Sequence, residues 1–546
     1  MPDKQVRRSV AEVLAQRAAD QPGKCLVECG PGRRTYGEMA EIAERRAAAL
    51  ARIGVAPGDR VALVTANRIE MVEMFFGCAR LGAVQVPLNT FLKGEFLRYQ
   101  LADCGAETIV VDGPGLAAVA PLLDQLPAVA RVVTLDEPDP SLGVVQVPYA
   151  ELAGDGDGDG DGDGDGATLP MPGPDDLASI IYTSGTTGLP KGCLISQGYF
   201  VHIGDAWRGA CDLVPDDVVF TAFPLFHLSG QALAVMACLT GGLTLVIEPA
   251  FSASTFMPRA AEVGATVTMG VGAMALAVLA TPPSAADRDH RVRYAMWIPL
   301  PPARQLELEE RFGVPVNAEG YGQTECAPVT FSRLSGTRRR DTAGQPSPWL
   351  DVRIADDGDV EVPGGEIGEI VVRPLEPDCM FTGYWGRADE TLQTFRNLWH
   401  HTGDYGRMDE EGFLTFVDRK KDALRRRGEN VSSMELEQAI TRHEKVAEVA
   451  VHAVASEVTE DDIKACIVLA SGAETTPEEL FAYFEANLPY FAVPRYVELI
   501  PALPKNAIGR VLKHELRALG VTPRTWDLEA LGLVVSRESR RGGGPG

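Results

Sequence analysis

The sequence predicts an α/β protein: a large N-terminal domain of layered α/β subdomains, then a small α+β domain. Three observations carry this. At 546 residues the chain exceeds what one core supports, so it divides into two or more domains. From Val61 onward, short β-branched apolar runs alternate with stretches of helical spacing, the pattern of parallel strands with crossover helices. Near the end, strands at Val449–Val454 and Ala465–Leu469 and a helix at Pro477–Asn487 make a compact α+β set.

Taken in order, residues 8–53 read as helices around a short strand. Thr35-Tyr36-Gly37-Glu38 fits a capping box, and Met39, Ile42, Ala43, Ala47 and Leu50 follow at helical spacing. Val61–Val64 is a buried strand, and Ile69, Val72, Phe75, Phe76 and Ala79 mark one face of the next helix. Strands follow at Ala83–Asn89 and Thr108–Val111. Residues 154–166 alternate Gly and Asp without a break. Six like charges spaced by glycine bury nothing and repel, which makes a solvated linker. A calcium loop is the alternative, but the twelfth position from Asp155 is Gly166, where such a loop needs Glu. Leu177–Ile181, Cys193–Ser196, Val218–Phe220, Gly241–Ile247 and Ala265–Met269 are further strands, and Glu307–Phe312 ends a helix closed by Gly313.

Composition narrows the function. Apolar residues at 45% and charged residues at 23% are those of a soluble globular chain. A net charge of −25 argues against nucleic acid or an anionic membrane as partner, so an anionic substrate must be drawn in by local cations. The ten cysteines lack paired spacing, and the one close pair, Cys25 and Cys29, has no His/Cys cluster beside it. They read as reduced thiols of a cytoplasmic protein. No signal peptide is expected, nor a membrane helix, which needs about 18 apolar residues.

The chemistry centres on Tyr182-Thr183-Ser184-Gly185-Thr186-Thr187-Gly188-Leu189-Pro190-Lys191-Gly192. Its glycines allow close backbone approach, and its hydroxyls and successive N–H groups make an anion-binding concavity. Lys191 adds a point charge suited to phosphate. This is not the Gly-x4-Gly-Lys-Ser/Thr loop that opens a helix, because Gly192 follows Lys191 and the next run is a strand. It is a loop between strands that cradles a polyphosphate. A Ser/Thr/Gly-rich surface turn would share the composition but does not predict the motifs downstream.

In Asn317-Ala318-Glu319-Gly320-Tyr321-Gly322-Gln323-Thr324-Glu325, Tyr321 offers a face to a purine, Thr324 a hydroxyl to a phosphate, and Glu325 a carboxylate suited to Mg2+. In Trp399–Asp404 an Asp past a Gly turn suits two ribose hydroxyls. Phe413–Val417 is a strand, followed by Asp418-Arg419-Lys420-Lys421-Asp422. Arg425-Arg426-Arg427-Gly428-Glu429-Asn430-Val431-Ser432-Ser433 reads as a loop before the helix Met434–Ile440. Its arginines either meet phosphates or are solvated.

These motifs, in this order, resemble the adenylate-forming superfamily of acyl-CoA synthetases, luciferases and peptide-synthetase adenylation domains. Within it, the Asp418–Ser433 run is most similar to small-acid CoA ligases of the crotonobetaine/carnitine type. The resemblance implies an AMP-binding domain over 1–417, a mobile lid over 418–536 and a disordered tail over 537–546. It places the triphosphate on Thr183, Ser184, Gly185, Thr186, Thr187 and Gly188, with Lys191 catalytic. Adenine falls to Tyr321, with Glu319 and Gly320 also in the cofactor site, the α-phosphate to Thr324, Mg2+ to Glu325 and Thr187, and ribose to Asp404 and Arg419. His227, in Phe223-Pro224-Leu225-Phe226-His227, falls in the acyl pocket. Asp418 becomes the pivot of a domain rotation, and the loop with Gly428 lines the pantetheine path.

Two departures stand out. Trp297-Ile298-Pro299-Leu300-Pro301-Pro302 replaces a small Gly-Ala-Pro segment beside the adenine and acyl group. Arg510 stands where relatives carry a catalytic lysine, with Lys505 and Lys513 as possible substitutes. The implied reaction uses ATP, Mg2+ and coenzyme A to turn a small carboxylic acid into an acyl-adenylate and then a thioester. Two other readings remain open: activation of another acid such as nitrite for transfer to an aromatic amine, and a non-catalytic nucleotide-binding relic. Oligomeric state is left open.

Overall fold

The computed structural model describes residues 7–153, 169–183, 190–419, 424–426, 429–431, 433–455, 461–488, 492–505 and 511–535. The Gly-Asp run, Ser184, Gly185, Thr186, Thr187, Gly188, Gly428, Arg510 and the tail lie outside them.

Local signals fix the first elements. Thr35 Oγ1 accepts from the Glu38 N–H at 3.2 Å, and the Glu38 carboxylate accepts from the Thr35 N–H at 2.8 Å, starting helix Tyr36–Arg52. The stretch before it holds two strands rather than one, Cys25–Cys29 and Gly32–Thr35, paired antiparallel. The expected helix before Gly313 spans Pro302–Phe312.

Successive side chains of the strands enter opposite cores, and this builds the layers. Val61 and Leu63 enter one core while Ala62 and Val64 enter another. The first seven-stranded sheet runs Val145–Pro148, Arg131–Thr134, Thr108–Val111, Arg60–Val64, Val84–Pro87, Leu177–Thr183, Lys191–Ser196. All its pairs are parallel except the last, an antiparallel hairpin. The second runs Val316–Asn317, Tyr294–Ile298, Val267–Val271, Val218–Thr221, Thr244–Ile247, Cys25–Cys29, Gly32–Thr35. Val27, Val219 and Leu245 of this sheet share one core with Val61 and Leu63 of the first and with helices Tyr36–Arg52, Ile69–Leu81 and Gln197–Ala210, so these helices form the layer between the sheets. Separate clusters cover the two outer faces. Each sheet is thus buried on both sides, as parallel sheets require.

The chain packs as two units. One holds Met1–Val352, Val372–His400 and Gly412–Leu414, and the other holds Arg353–Val371, His401–Glu411 and Thr415–Gly546. In the second, strands Val446–Ala455, Asp461–Leu469, Tyr496–Leu499 and Trp526–Asp527 make a sheet in that order. Helices Ser433–Thr441 and Pro477–Asn487 pack Leu436, Ile440, Leu480 and Phe484 against one face of it. The run expected as a loop from Arg425 instead pairs as a hairpin, Leu424–Arg426 with Glu429–Val431. Its charged residues lack the apolar alternation by which a strand is read.

All ten cysteines are buried and unbridged, and burial alone pushes Cys78 up to about 12. No helix among the described residues is long and apolar enough to cross a membrane. Two buried histidines make stability depend on pH. Burial pulls His202 and His452 from 6.5 down to about 4. The unfolded chain takes up protons below 6.5 that the folded chain refuses until about 4, so stability held above 6.5 is lost as pH falls through that window. Urea midpoints should fall from pH 6.5 downward, and His202→Gln with His452→Gln should flatten the decline. An unchanged slope in the double variant contradicts this assignment.

Candidate active site

The loop expected to hold the polyphosphate joins strands Leu177–Thr183 and Lys191–Ser196, with Thr183 paired to Lys191 and Tyr182 to Gly192 at its base. Gly192 must be glycine: a Cβ there would lie 2.4 Å from Ile180 Cγ2. Both ends of the loop are tied to helix Gly94–Cys104. Tyr182 Oη donates to Asp103 Oδ2 at 2.7 Å, and Tyr99 Oη donates to the Pro190 carbonyl at 3.1 Å. Arg387 Nη2 reaches Asp103 Oδ1 and Tyr99 Oη, both at 3.0 Å, and Trp385 Nε1 donates to the Asp103 carbonyl at 3.0 Å. The base of the loop is therefore tied to this helix, which is itself bonded to Trp385 and Arg387.

Lys191 Nζ sits 2.5 Å from Glu390 Oε2 and 5.2 Å from the centroid of the Tyr384 ring. The hydroxyl of the same tyrosine donates to Glu325 Oε1 at 2.8 Å. The backbone explains this convergence. Residues 381–385 run beside strand Lys191–Ser196: Leu194 N donates to Gly383 O at 2.9 Å, Thr382 N to Leu194 O at 3.0 Å and Trp385 N to Gly192 O at 2.8 Å. Phe381 N donates to the Glu325 carbonyl at 2.9 Å. One segment thus brings together two motifs more than a hundred residues apart in sequence. Burial, then the nearby Glu325 charge, pushes the Tyr384 hydroxyl up, so it stays a proton donor. The same two causes, in the same order, raise the buried Cys193 thiol and keep it neutral.

Glu325 is buried, and no group of three or more His, Cys, Asp or Glu side chains clusters for a metal among the described residues. A lone oriented carboxylate fits Mg2+, which takes its other ligands from nucleotide phosphates and water.

Strands Gly320–Gln323 and Cys326–Phe331 form the second motif. Tyr199 Oη donates to the Thr324 carbonyl at 3.3 Å, and Gln323 Oε1 lies 3.4 Å from His400 Nε2. Tyr321, half-buried, pairs with Thr330. Glu319 is held by its protein neighbours. Its fully buried carboxylate takes a bidentate pair from Arg338 at 2.8–3.0 Å, its N–H donates to Asn317 Oδ1 at 3.0 Å, and its carbonyl accepts from Ser332 N at 3.1 Å. This pair anchors the residue that precedes Gly320 and Tyr321. Ile298 from the departing segment packs on Gly320, its Cδ1 2.8 Å from where a Cβ would sit.

His227 is exposed, with Nδ1 3.0 Å from Ser229 Oγ and accepting from Ser229 N at 3.2 Å. It stands just before a π-helical turn, Ser229–Met236, a rare geometry frequent at functional sites.

The remaining residues belong to the second unit. Gly403 takes φ +68, as a turn before Asp404 requires, and its N–H donates to Glu369 Oε1 at 3.1 Å. Asp404 is buried, and its N–H donates to Thr402 Oγ1 at 3.1 Å. The Arg419 side chain is outside the described residues. Asp418 Oδ2 accepts from Ser433 N at 2.7 Å, Ser433 Oγ at 2.6 Å and Met434 N at 3.3 Å, capping helix Ser433–Thr441. Both substitute lysines are engaged: Lys505 pairs with Glu448 at 2.5 Å, while Lys513 pairs with Glu437 at 2.8 Å and donates to Ser433 Oγ.

Sequence reasoning missed Tyr384, Arg387, Glu390, Tyr99 and Asp103. The available signal was Gly383-Tyr384-Trp385-Gly386, two aromatics set between glycines.

Residues 14–385 match the AMP-binding enzyme family, and residues 435–510 match the AMP-binding enzyme C-terminal domain. A crotonobetaine/carnitine–CoA ligase of Salmonella arizonae is 31% identical over 503 residues, covering 88% of this chain and 93% of that one. One from Escherichia coli is 33% identical over 495 residues, covering 89% and 93%. The crystal structure of ATP-bound MatB from Rhodopseudomonas palustris matches with a TM-score of 0.82 at 28% identity, over 93% of this chain and 98% of that chain. The chain belongs to the AMP-binding enzyme family, as an AMP-forming acid–thiol ligase of the acyl-CoA ligase type.

Proposed function

We propose that this enzyme activates a small carboxylic acid with ATP and passes the acyl group to coenzyme A in the cytoplasm. The observation that carries the reading is the meeting of Lys191 and Glu325 on one side chain, Tyr384, at the base of the polyphosphate loop. A cation suited to phosphate and a carboxylate suited to Mg2+ belong at one triphosphate.

In the first step a carboxylate oxygen of the acid bonds to the α-phosphorus and the bond to pyrophosphate breaks. Lys191 and Arg510 neutralise charge building on the phosphate oxygens, the loop hydroxyls and N–H groups of Thr183 to Gly188 orient the triphosphate, and Thr324 holds the α-phosphate. Glu325 and Thr187 hold Mg2+, which when bound supplies further charge neutralisation. Tyr321 stacks on adenine, Asp404 and Arg419 bind ribose, and His227 borders the acid. In the second step the thiol sulfur bonds to the acyl carbon, its proton passes to solvent and AMP leaves. The small domain rotates between the steps. Asp418 travels with it, because its carboxylate is fastened to Ser433.

The test is pyrophosphate exchange screened across carboxylic acids and nitrite, then product analysis with coenzyme A or an amine. A thioester from a carboxylic acid supports the proposal. An amide or diazo product, with none from coenzyme A, overturns the acceptor. No exchange with any acid above a Glu325→Gln background overturns catalysis.

A further inference from the structure

We infer that Tyr384 is a positioning residue for the triphosphate, holding Lys191 on its ring and Glu325 on its hydroxyl so that cation and carboxylate keep a fixed spacing. This rests on the reading of Glu325 and Lys191 given above. Tyr384 touches neither reacting atom in that scheme and acts through the two side chains it carries.

The geometry makes one side chain serve both. The backbone of Tyr384 is fixed by its bridge to Cys193, and the residue is 9% exposed, with Phe381 packed edge-on to its ring at 5.0 Å. A buried ring on a paired backbone has little freedom. Its hydroxyl bond to Oε1 therefore sets the rotation of the Glu325 carboxylate and with it the direction of the other oxygen. Partners behind a metal-binding carboxylate orient it and typically govern metal affinity by about 10- to 100-fold. The ring face meanwhile carries the Lys191 ammonium, which Glu390 draws from the other side at 2.5 Å. Glu390 is part exposed and its ion pair is screened, so arriving phosphate can replace it. The ring contact does not exclude phosphate, because the ammonium has three donors and those turned away from the ring remain available.

The two halves separate experimentally. Tyr384→Phe keeps the ring and removes the hydroxyl, whereas Tyr384→Met keeps comparable bulk and removes both. Calorimetric titration of ATP at stepped Mg2+ concentrations reads binding without turnover. Tyr384→Phe should raise the Mg2+ concentration needed for tight ATP binding by about 10-fold or more, with metal-free ATP affinity unchanged. Tyr384→Met should show the same Mg2+ shift and a further loss of about 3-fold in metal-free affinity. A purely structural tyrosine would lower the melting temperature and weaken ATP binding equally with and without Mg2+, and that result overturns the inference. So does Tyr384→Phe behaving as wild type while Glu325→Gln loses its Mg2+ dependence, which leaves the reading of the site intact. Wild-type behaviour in Glu325→Gln as well removes the reading itself, and the inference with it.

Discussion

Arg510→Ala is expected to slow acyl-adenylate formation by about 100- to 1,000-fold, the usual cost of removing one group that stabilises transition-state charge. Thioester formation from pre-made acyl-adenylate should change far less. The reason lies in the neighbouring cations. Lys505 is bound to Glu448, and Lys513 is bound to Glu437 and Ser433 beneath the Asp418 cap. Moving either would break an ion pair, and moving Lys513 would also loosen the start of helix Ser433–Thr441. This leaves Arg510 as the cation in this stretch that we propose for the role of the usual lysine. Its planar, permanently charged guanidinium meets phosphate bidentately, so Arg510→Lys should retain binding but change the rate, because the two side chains present charge differently. Separate assays of the two half-reactions decide the matter. Equal losses in both would make Arg510 structural, and a loss seen only in Lys513→Ala would shift the role to that lysine.

Arg338→Ala should destabilise the large unit by about 3–5 kcal/mol, because it leaves the Glu319 carboxylate buried and uncompensated. Removing both charges together, with Arg338→Met and Glu319→Leu, should recover most of that stability, since an apolar pair of similar bulk avoids the desolvation cost. Urea unfolding of the single and double variants measures this. The pair lies under Gly320 and Tyr321, so the single variant should also weaken ATP binding. A stable Arg338→Ala protein with normal ATP affinity would show that Glu319 is held by its backbone bonds to Asn317 and Ser332 alone.

What could be read from the chain divides along a physical line. The capping box at Thr35, the helix stop at Gly313 and the strands around the polyphosphate loop depend on neighbours in sequence, and the structure has them where the sequence places them. The Glu319–Arg338 pair was not legible, because a carboxylate in a ligand-binding motif and a carboxylate in a buried ion pair look alike until the partner is seen. Tyr384 and Asp103 escaped for the same reason. Their roles exist only once residues 381–390 fold back beside Lys191 and helix Gly94–Cys104. The hairpin at Leu424–Arg426 was missed because its charged residues carry no strand pattern. Motif order and the length of matching sequence, rather than any single contact, reveal the family.

We propose that the hydroxyl-rich segment ending at Lys191 grips Mg·ATP so that AMP is transferred to an acid. The most direct measurement is the phosphate product formed by the purified enzyme with Mg·ATP and an accepted acid, followed by phosphorus NMR. Acid alone should give pyrophosphate with acyl-adenylate and an exchange of labelled pyrophosphate into ATP that requires the acid, and added coenzyme A should then give pyrophosphate and AMP in equal amounts. Release of ADP and orthophosphate would contradict it.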